Sequence, residues 1–247
     1  MADAWAADAA LAYGPLARHL VARSPVAVRG AVALDAGAGS GLAGDALRAL
    51  GAHVVAADQE FDMAAYGATA GPAVAADVTA LPFRTDAFDV VVAAFVVNHL
   101  PDPVAGLSEL RRVTRPGGAV LASTFSADRA TAKAAVDEVA ERFGFVKPPW
   151  YAEVQKIQLA VADVISLERA LTAAGFAAAT VTEEAVDVGL AAPEDVVRYR
   201  LGMPHLHRFA ASLSDEAHRR LVAESVAAVR RVGERFAPSV LEAVAIA

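Results

Sequence analysis

The stretch VALDAGAGSGLAG, residues 32–44, constrains this chain more than any other. Val32, Ala33 and Leu34 form an apolar run of the kind that makes a short buried strand. The run ends at Asp35, and Gly37, Gly39 and Gly41 then crowd into a turn ahead of the helix-prone segment 42–50. Glycines at alternate positions let the backbone bend sharply and let a ligand lie against main-chain N–H groups. A strand, a glycine turn and a helix in that order describe a nucleotide-cofactor loop at the carboxyl end of the first strand of an α/β sheet.

Asp35 selects among the cofactors. Gly39, Gly41 and Gly44 also fit the dinucleotide spacing G-x-G-x-x-G, which would favour NAD(P) and an oxidoreductase. That loop brings a pyrophosphate onto a helix N-terminus, and a carboxylate two residues before Gly37 would repel it. A carboxylate there suits a cofactor that carries positive charge, and S-adenosyl-L-methionine carries an ammonium and a sulfonium. A plain strand–turn–helix junction is the other reading of the same residues. The pattern D-x-G-x-G-x-G over Asp35, Gly37, Gly39 and Gly41 resembles the first motif of the class I methyltransferases.

Further down the chain, residues 53–57 read as a second strand that ends at Asp58. A strand-end carboxylate at that distance from the loop can accept from both ribose hydroxyls. Gln59 follows and is assigned to the adenine side. A third strand, 73–76, ends at Asp77, and the run 88–95, β-branched and uncharged after Asp89, has the pattern of a central parallel strand. The segment 75–103, AADVTALPFRTDAFDVVVAAFVVNHLPDP, is similar to the middle of the same methyltransferase family. The resemblance implies that Asp77 bonds the adenine amino group, with Val78 beside the ring. It also implies that Asn98, His99 and Leu100 lie just past the fourth strand, facing the methyl group. Ala38 in the loop and Ala94 at the end of that strand complete the expected cofactor contacts. A helix from Pro103 to Arg112 and a turn over Arg115, Pro116, Gly117 and Gly118 lead into a fifth strand, 119–124.

The resemblance therefore covers residues 30–124. Alternating strands and helices predict an α/β fold with a doubly wound, parallel sheet. The family's form is a seven-stranded Rossmann-like sheet of order 3-2-1-4-5-7-6, with strand 7 antiparallel. At 247 residues the chain is expected to be one methyltransferase domain. Its parts are a helical lead-in over 1–25, a cofactor-binding core over 30–125, cap helices near 126–165 and 190–236, and a final strand over 240–246. Tyr13, Gly14 and Pro15 are expected to interrupt the lead-in, and 145–151 (FVKPPWY) to form a proline-broken loop before a helix reaching Gln158. Helices are also expected over 127–143, 166–174, 193–201 and 214–232, with a sixth strand over 176–188.

The net charge of −7 leaves no basic surface for nucleic acid phosphates. No cysteine is present, so disulfides, thiolate nucleophiles and cysteine metal sites are absent. The acidic N-terminus lacks a signal peptide's basic region, and no apolar run is long enough to span a membrane. The expectation is a soluble, cytoplasmic protein with a small-molecule substrate, no nucleic acid or membrane partner, and an oligomeric state the sequence does not set.

Methyl transfer from a sulfonium is an in-line displacement with a neutral leaving group. The enzyme chiefly positions the acceptor and excludes water, and a base helps only where the acceptor must lose a proton. His99, just past the fourth strand, is the candidate base, and a loop-capping role is its alternative. Tyr13 is a candidate lid, as similar methyltransferases often use an N-terminal aromatic, while Trp150, Tyr151, Tyr199 and His205 are candidate walls of an apolar acceptor site. For each aromatic, packing in the core is the competing reading. His205 and His207 share a PHLH stretch with no acid beside them, so no metal site is assigned. Arg129, Lys147 and Arg208 read as solvated.

The function these readings support is methyl transfer from S-adenosyl-L-methionine to an oxygen, nitrogen or carbon of a small, largely apolar molecule. A secondary metabolite fits that description. The stretch Val97-Asn98-His99 departs from the asparagine–arginine–asparagine run associated with quinone C-methyltransferases, which argues against a quinone. The alternative is a protein of the same fold that binds the cofactor without transferring methyl, for a cyclisation, a rearrangement or regulation. An NAD(P)-dependent oxidoreductase is disfavoured by Asp35 and by the lack of a Tyr/Lys or His/Asp pair in order.

Overall fold

The computed structural model describes residues 2–60, 62–63, 70–127 and 131–247, with side chains from Asp8 onward. Among these residues the chain forms α1 (Ala2–Ala22), β1 (Val32–Ala36), α2 (Leu42–Ala49), β2 (His53–Asp58), β3 (Ala73–Ala75) and β4 (Phe88–Ala94). Then come α3 (Pro103–Val113), β5 (Thr114–Phe125), α4 (Thr131–Arg142), α5 (Pro149–Gln158), α6 (Val164–Ala173) and β6 (Ala178–Ala185). The chain closes with α7 (Pro193–Leu201), α8 (Pro204–Ser212), α9 (Asp215–Val232) and β7 (Ser239–Ile246).

The strands make one seven-stranded sheet in the order β3-β2-β1-β4-β5-β7-β6, as the resemblance implied. β1 pairs in parallel with both β2 and β4, whereas β7 runs antiparallel to β5. Alternation along the strands explains why both faces need covering. In β1, Ala33 and Leu34 enter different core clusters, and in β4 Val90 and Val92 enter one while Val91 and Ala93 enter the other. Helices α1 and α2 supply Leu20, Ala43 and Leu47 to the first cluster, and α3 and α6 supply Leu107, Leu110, Leu167 and Leu171 to the second. A strand buried on both faces has to be apolar throughout, which is what makes β4 legible.

The chain divides into two compact units. The sheet unit holds Leu16–Ala127, Lys156–Glu184 and Val240–Ala247, and the helical unit holds Met1–Pro15, Asp128–Gln155 and Ala185–Ser239. In the helical unit α9 packs on α4 and α7.

Several local expectations are corrected. Tyr13, Gly14 and Pro15 do not interrupt α1, which runs unbroken from Ala2 to Ala22 with Pro15 inside it. Proline removes one helical hydrogen bond, but Ala12, Leu16, Ala17 and Leu20 are buried around it, and burial outweighs local propensity. The proline-broken loop ends at Pro148, because Pro149 opens α5 and places Trp150 and Tyr151 in its first turn. The helix α8 is an addition to the expected set; it starts at Pro204 after Met203 and carries the PHLH stretch. Residues 115–118 lie inside β5 rather than in a turn before it. The expected helix over 127–143 is found as Thr131–Arg142, its first turn lying outside the described residues, as does Arg129. No helix among the described residues is long and apolar enough to cross a membrane.

Candidate active site

In the sheet unit, the carboxyl ends of β1, β2 and β4 and the residues just past β3 bring the expected cofactor residues together. Gly37 and Ala38 both donate N–H to the carbonyl of Ala57, at 2.7 and 3.0 Å, which ties the glycine loop to β2. Gly39 N–H donates to Asp58 Oδ2 at 2.7 Å, and Asp58 Oδ1 accepts from Glu60 N–H at 2.9 Å. Asp58 therefore braces the loop as well as standing at the strand end. Gly37 is required twice over. Its φ of 70° is left-handed, and a Cβ there would lie 2.5 Å from Val96 Cγ2.

Asp35 is buried to 1 % exposure, and its Oδ2 accepts from Gly44 N–H in α2 at 2.7 Å. Gly44 permits this approach, since a Cβ on it would sit 3.0 Å from the same oxygen. Burial pushes the Asp35 carboxyl up to about 7, against the Gly44 hydrogen bond and the charge of Arg48, which lower it. A carboxylate held so far from water needs a cation or further donors to stay ionised at neutral pH.

The rest of the set is placed less tightly. Asp77 is exposed, and its Oδ1 accepts from Thr79 N–H and Oγ1 at 2.8 Å, which holds it below the usual carboxylate range. Val78 is buried in the core cluster beneath, and Gln59 is exposed. Ala94 ends β4 half-buried. His99 ends a short helical turn, Val97–His99, and although exposed its imidazole is held below its ordinary pKa by desolvation. Asn98 beside it is buried, with its Oδ1 unpartnered among the described residues. Between Ala94 and these residues stands Phe95, at φ 58°, with N–H bonded to the Ser123 carbonyl and its ring 4.5 Å from that of Phe125. An aromatic residue in the left-handed region is a strained feature of the sort that clusters at functional sites. Nothing in an apolar strand pattern marks one residue for positive φ, so this feature is visible only in the structure.

In the helical unit four of the five expected acceptor residues assemble. The rings of Tyr151 and His205 stack 3.8 Å apart at 4°. The ring centres of Tyr13 and Tyr199 lie 6.3 Å apart, and the two phenols act on each other's ionisation. Burial raises both phenols, Tyr13 to about 12. Trp150 sits edge-on to Tyr151 and is half exposed, on the rim of this group. Burial and the charges of Arg200 and Lys147 push His205 down to about 3, so its ring is neutral.

Three residues of this cluster escape a reading of the sequence. Arg200 donates two hydrogen bonds to Asp137, at 2.7 and 2.6 Å, and joins α7 to α4. Lys133 lies 5.9 Å from the ring centre of Tyr199 and 5.8 Å from that of Phe236. Burial and the Arg200 charge bring its amine down to about 7. Charged residues on polar helix faces look alike in sequence whether they end in solvent or inside.

Among the described residues, the group with ligand atoms close enough for a metal is His19, Glu184 and Glu242, within 4.8 Å of one another. Arg23 already binds both acids, at 2.7 Å from Glu184 and 3.4 Å from Glu242. Arg23 and His19 thus share the two acids in one polar network. His205 and His207 are not part of it.

A family model described as a methyltransferase domain matches residues 34–122, which run from within β1 to within β5 and include the glycine loop. Over residues 34–122 the chain is thus similar to a methyltransferase domain. Demethylmenaquinone methyltransferase of Clavibacter sepedonicus is 42% identical over 115 residues, 44% of this chain and 47% of that protein. The enzyme of the same name from Mycobacterium sp. strain KMS is 44% identical over 94 residues, 38% of this chain and 41% of its own. The chain thus matches less than half the length of these relatives. Among solved structures, phosphoethanolamine N-methyltransferase 2 of Haemonchus contortus, in complex with S-adenosyl-L-methionine, superposes with a TM-score of 0.59. It is 19% identical and covers 94% of this chain and 52% of its own. The 4+2 cyclase SpnF superposes with a TM-score of 0.56 at 17% identity, covering 94% of this chain and 80% of its own. At such identities these likenesses show the fold alone.

Proposed function

We propose that the protein is a methyltransferase that uses S-adenosyl-L-methionine and modifies an oxygen, nitrogen or carbon atom of a small, largely apolar molecule. The observation that carries this reading is the buried Asp35 carboxylate beside a glycine loop within the methyltransferase domain. Asp35 would bind the cofactor's ammonium and Asp58 its ribose hydroxyls. Asp77 and Gln59, with the backbone around Val78, would hold the adenine, and Gly37, Ala38, Gly39, Gly41 and Ala94 would form the remaining wall. The bound cofactor supplies a methyl group on a sulfonium, so this chain's own residues need only position the acceptor and take a proton. His99 is the residue proposed to take it, since a neutral imidazole near the end of β4 can accept a proton at neutral pH. Tyr13, Tyr151, Tyr199 and His205, with Trp150 at the rim, are proposed as acceptor-binding residues.

The relatives named for demethylmenaquinone match less than half of this chain and less than half of their own length, so the acceptor is left at the level of a small apolar molecule. A cyclase shares the fold, and the test therefore has to read the product as well as the cofactor. Calorimetry with S-adenosylhomocysteine and NAD, followed by incubation with methyl-labelled cofactor and a panel of hydroxylated aromatics, supplies both. Binding of S-adenosylhomocysteine but not NAD, with label appearing in a product one methylene unit heavier, supports the reading. Binding without any gain of mass would favour the non-transferring alternative, and binding of NAD alone would sink both.

A further inference from the structure

We infer that Arg48 is a positioning residue of the cofactor site: from the last turn of α2, its guanidinium keeps the buried Asp35 carboxylate charged and ready for the cofactor's ammonium. This inference rests on reading Asp35 as the partner of that ammonium. It adds the group that maintains the partner in the form the cofactor needs.

The geometry is built around Gly44. Its N–H donates to Asp35 Oδ2 at 2.7 Å, and a Cβ on it would lie 3.0 Å from that oxygen and 3.0 Å from Arg48 Nη1. The oxygen and the nitrogen are therefore no more than about 6 Å apart, within the range over which an opposite charge favours an ionised carboxylate. A second glycine, Gly71, also borders the guanidinium, since a Cβ there would lie 3.5 Å from Nη2 and 3.7 Å from Nε. Asp45 Oδ1 accepts from Nη1 at 3.1 Å and steadies the head of the side chain. Arg48 is thus a half-buried cation held in place beside two residues that have no side chain to separate it from the strand ends.

Asp35 is otherwise poorly placed to stay charged. It lies buried in β1 between Ala56 of β2 and Val92 of β4, neither of which carries a charge. Among the described residues the charges that act on it are Arg48 and Asp45 on α2 and Asp58 at the end of β2, and of these Arg48 alone favours the ionised form. Asp45 opposes it, but 63% of its side-chain surface is in water against 22% for Arg48, so its charge is the better screened. Burial brings the Asp35 carboxyl up to about 7 even with Arg48 in place. Without that cation the acid would be protonated at neutral pH, and an arriving ammonium would first have to displace the proton. Gly44 takes Oδ2, and Oδ1 is left to the ammonium.

The test uses the full chain with carboxyl-labelled aspartate and compares the unaltered protein with Arg48→Met and Arg48→Lys. The Asp35 signal is assigned by its loss in Asp35→Asn. In the free protein, carbon NMR should show the Asp35 titration moving up by about one pH unit in Arg48→Met, with most of the shift restored in Arg48→Lys. Calorimetry with S-adenosylhomocysteine should show Arg48→Met binding about tenfold more weakly at about pH 6. The loss should narrow to about twofold or less by about pH 8.5, where Asp35 is mostly ionised in both proteins. A residue that only secures the end of α2 would weaken binding by the same factor at every pH, and that result would overturn the inference. So would an Asp35 titration left unmoved by Arg48→Met. Failure of S-adenosylhomocysteine to bind the unaltered protein at any pH would instead strike at the methyltransferase reading, while the titration still decides whether Arg48 holds Asp35 charged.

Discussion

In the sheet unit the carboxylates of Asp35, Asp58 and Asp77 accept from main-chain N–H groups 9, 19 and 2 residues away in sequence. In the helical unit the central ion pair, Arg200 with Asp137, joins residues 63 apart, and the rings around it come from α1, α5, α7 and α8. One site is made of backbone held by its own neighbourhood, and the other of side chains that meet only after the helices have packed. The first kind leaves a written trace, because a glycine turn has to be spelled with glycines. The second leaves almost none, because a lysine or arginine is compatible with any helix face.

This contrast can be broken experimentally at several points. The largest effect is expected from Asp35→Asn, which keeps an acceptor for Gly44 but removes the charge. S-adenosylhomocysteine should bind about 100-fold more weakly, the size of a lost charge-assisted hydrogen bond to an ammonium. Unchanged affinity by calorimetry would show that backbone geometry alone holds the cofactor.

Next comes Arg200→Met, which strips Asp137 of its partner in the helical unit. It should lower unfolding stability by about 2 kcal/mol in urea titration, less than a fully buried pair because Asp137 keeps 30% of its side-chain surface exposed. A loss under about 0.5 kcal/mol, the range of a surface pair, would place the two among solvated charges.

A smaller effect is expected from pH. The Asp35 carboxyl is raised to about 7 by burial, with Arg48 lowering it and Asp58 and Asp45 raising it further. Below that pH the group is protonated in the free protein and must lose its proton to meet a cation. Cofactor affinity should therefore fall by about tenfold for each unit below about pH 7, with a proton released on binding. Calorimetry at pH 6 in two buffers of different ionisation enthalpy counts that proton. The same shift acts on the free protein in the opposite sense. Its contribution to stability is fully present below about pH 4 and lost as pH rises through about 7.

Most of the fold is legible because burial on both faces forces apolar strands and glycine-marked turns. Leu34 beside Asp35, and the run from Phe88 to Ala94, leave little room for another reading. Sequence reasoning fails where packing overrides a local rule. Pro15 sits inside α1, and Pro149 and Pro204 open helices where a loop is expected, because proline is a breaker in mid-helix but a good first residue. At the sites, the glycines and strand-end acids are legible from spacing, and the aromatics Tyr13, Tyr151 and Tyr199 from their type. Lys133, Asp137 and Arg200 are not, since nothing in a helix's sequence says that its charges face one another across 63 residues.

Phe95 has a consequence for anyone who would make this protein hardier. Its left-handed backbone carries a cost on the order of 1 kcal/mol, which a glycine at that position would largely relieve. Phe95→Gly should raise the thermal midpoint by a few degrees if that relief outweighs the missing ring packing against Phe125. A laboratory selection for heat resistance would therefore be drawn to the residue where β4 hands over to the candidate site. The variants it returned would have to be screened again for what they can still do, because robustness and activity compete for the same side chain.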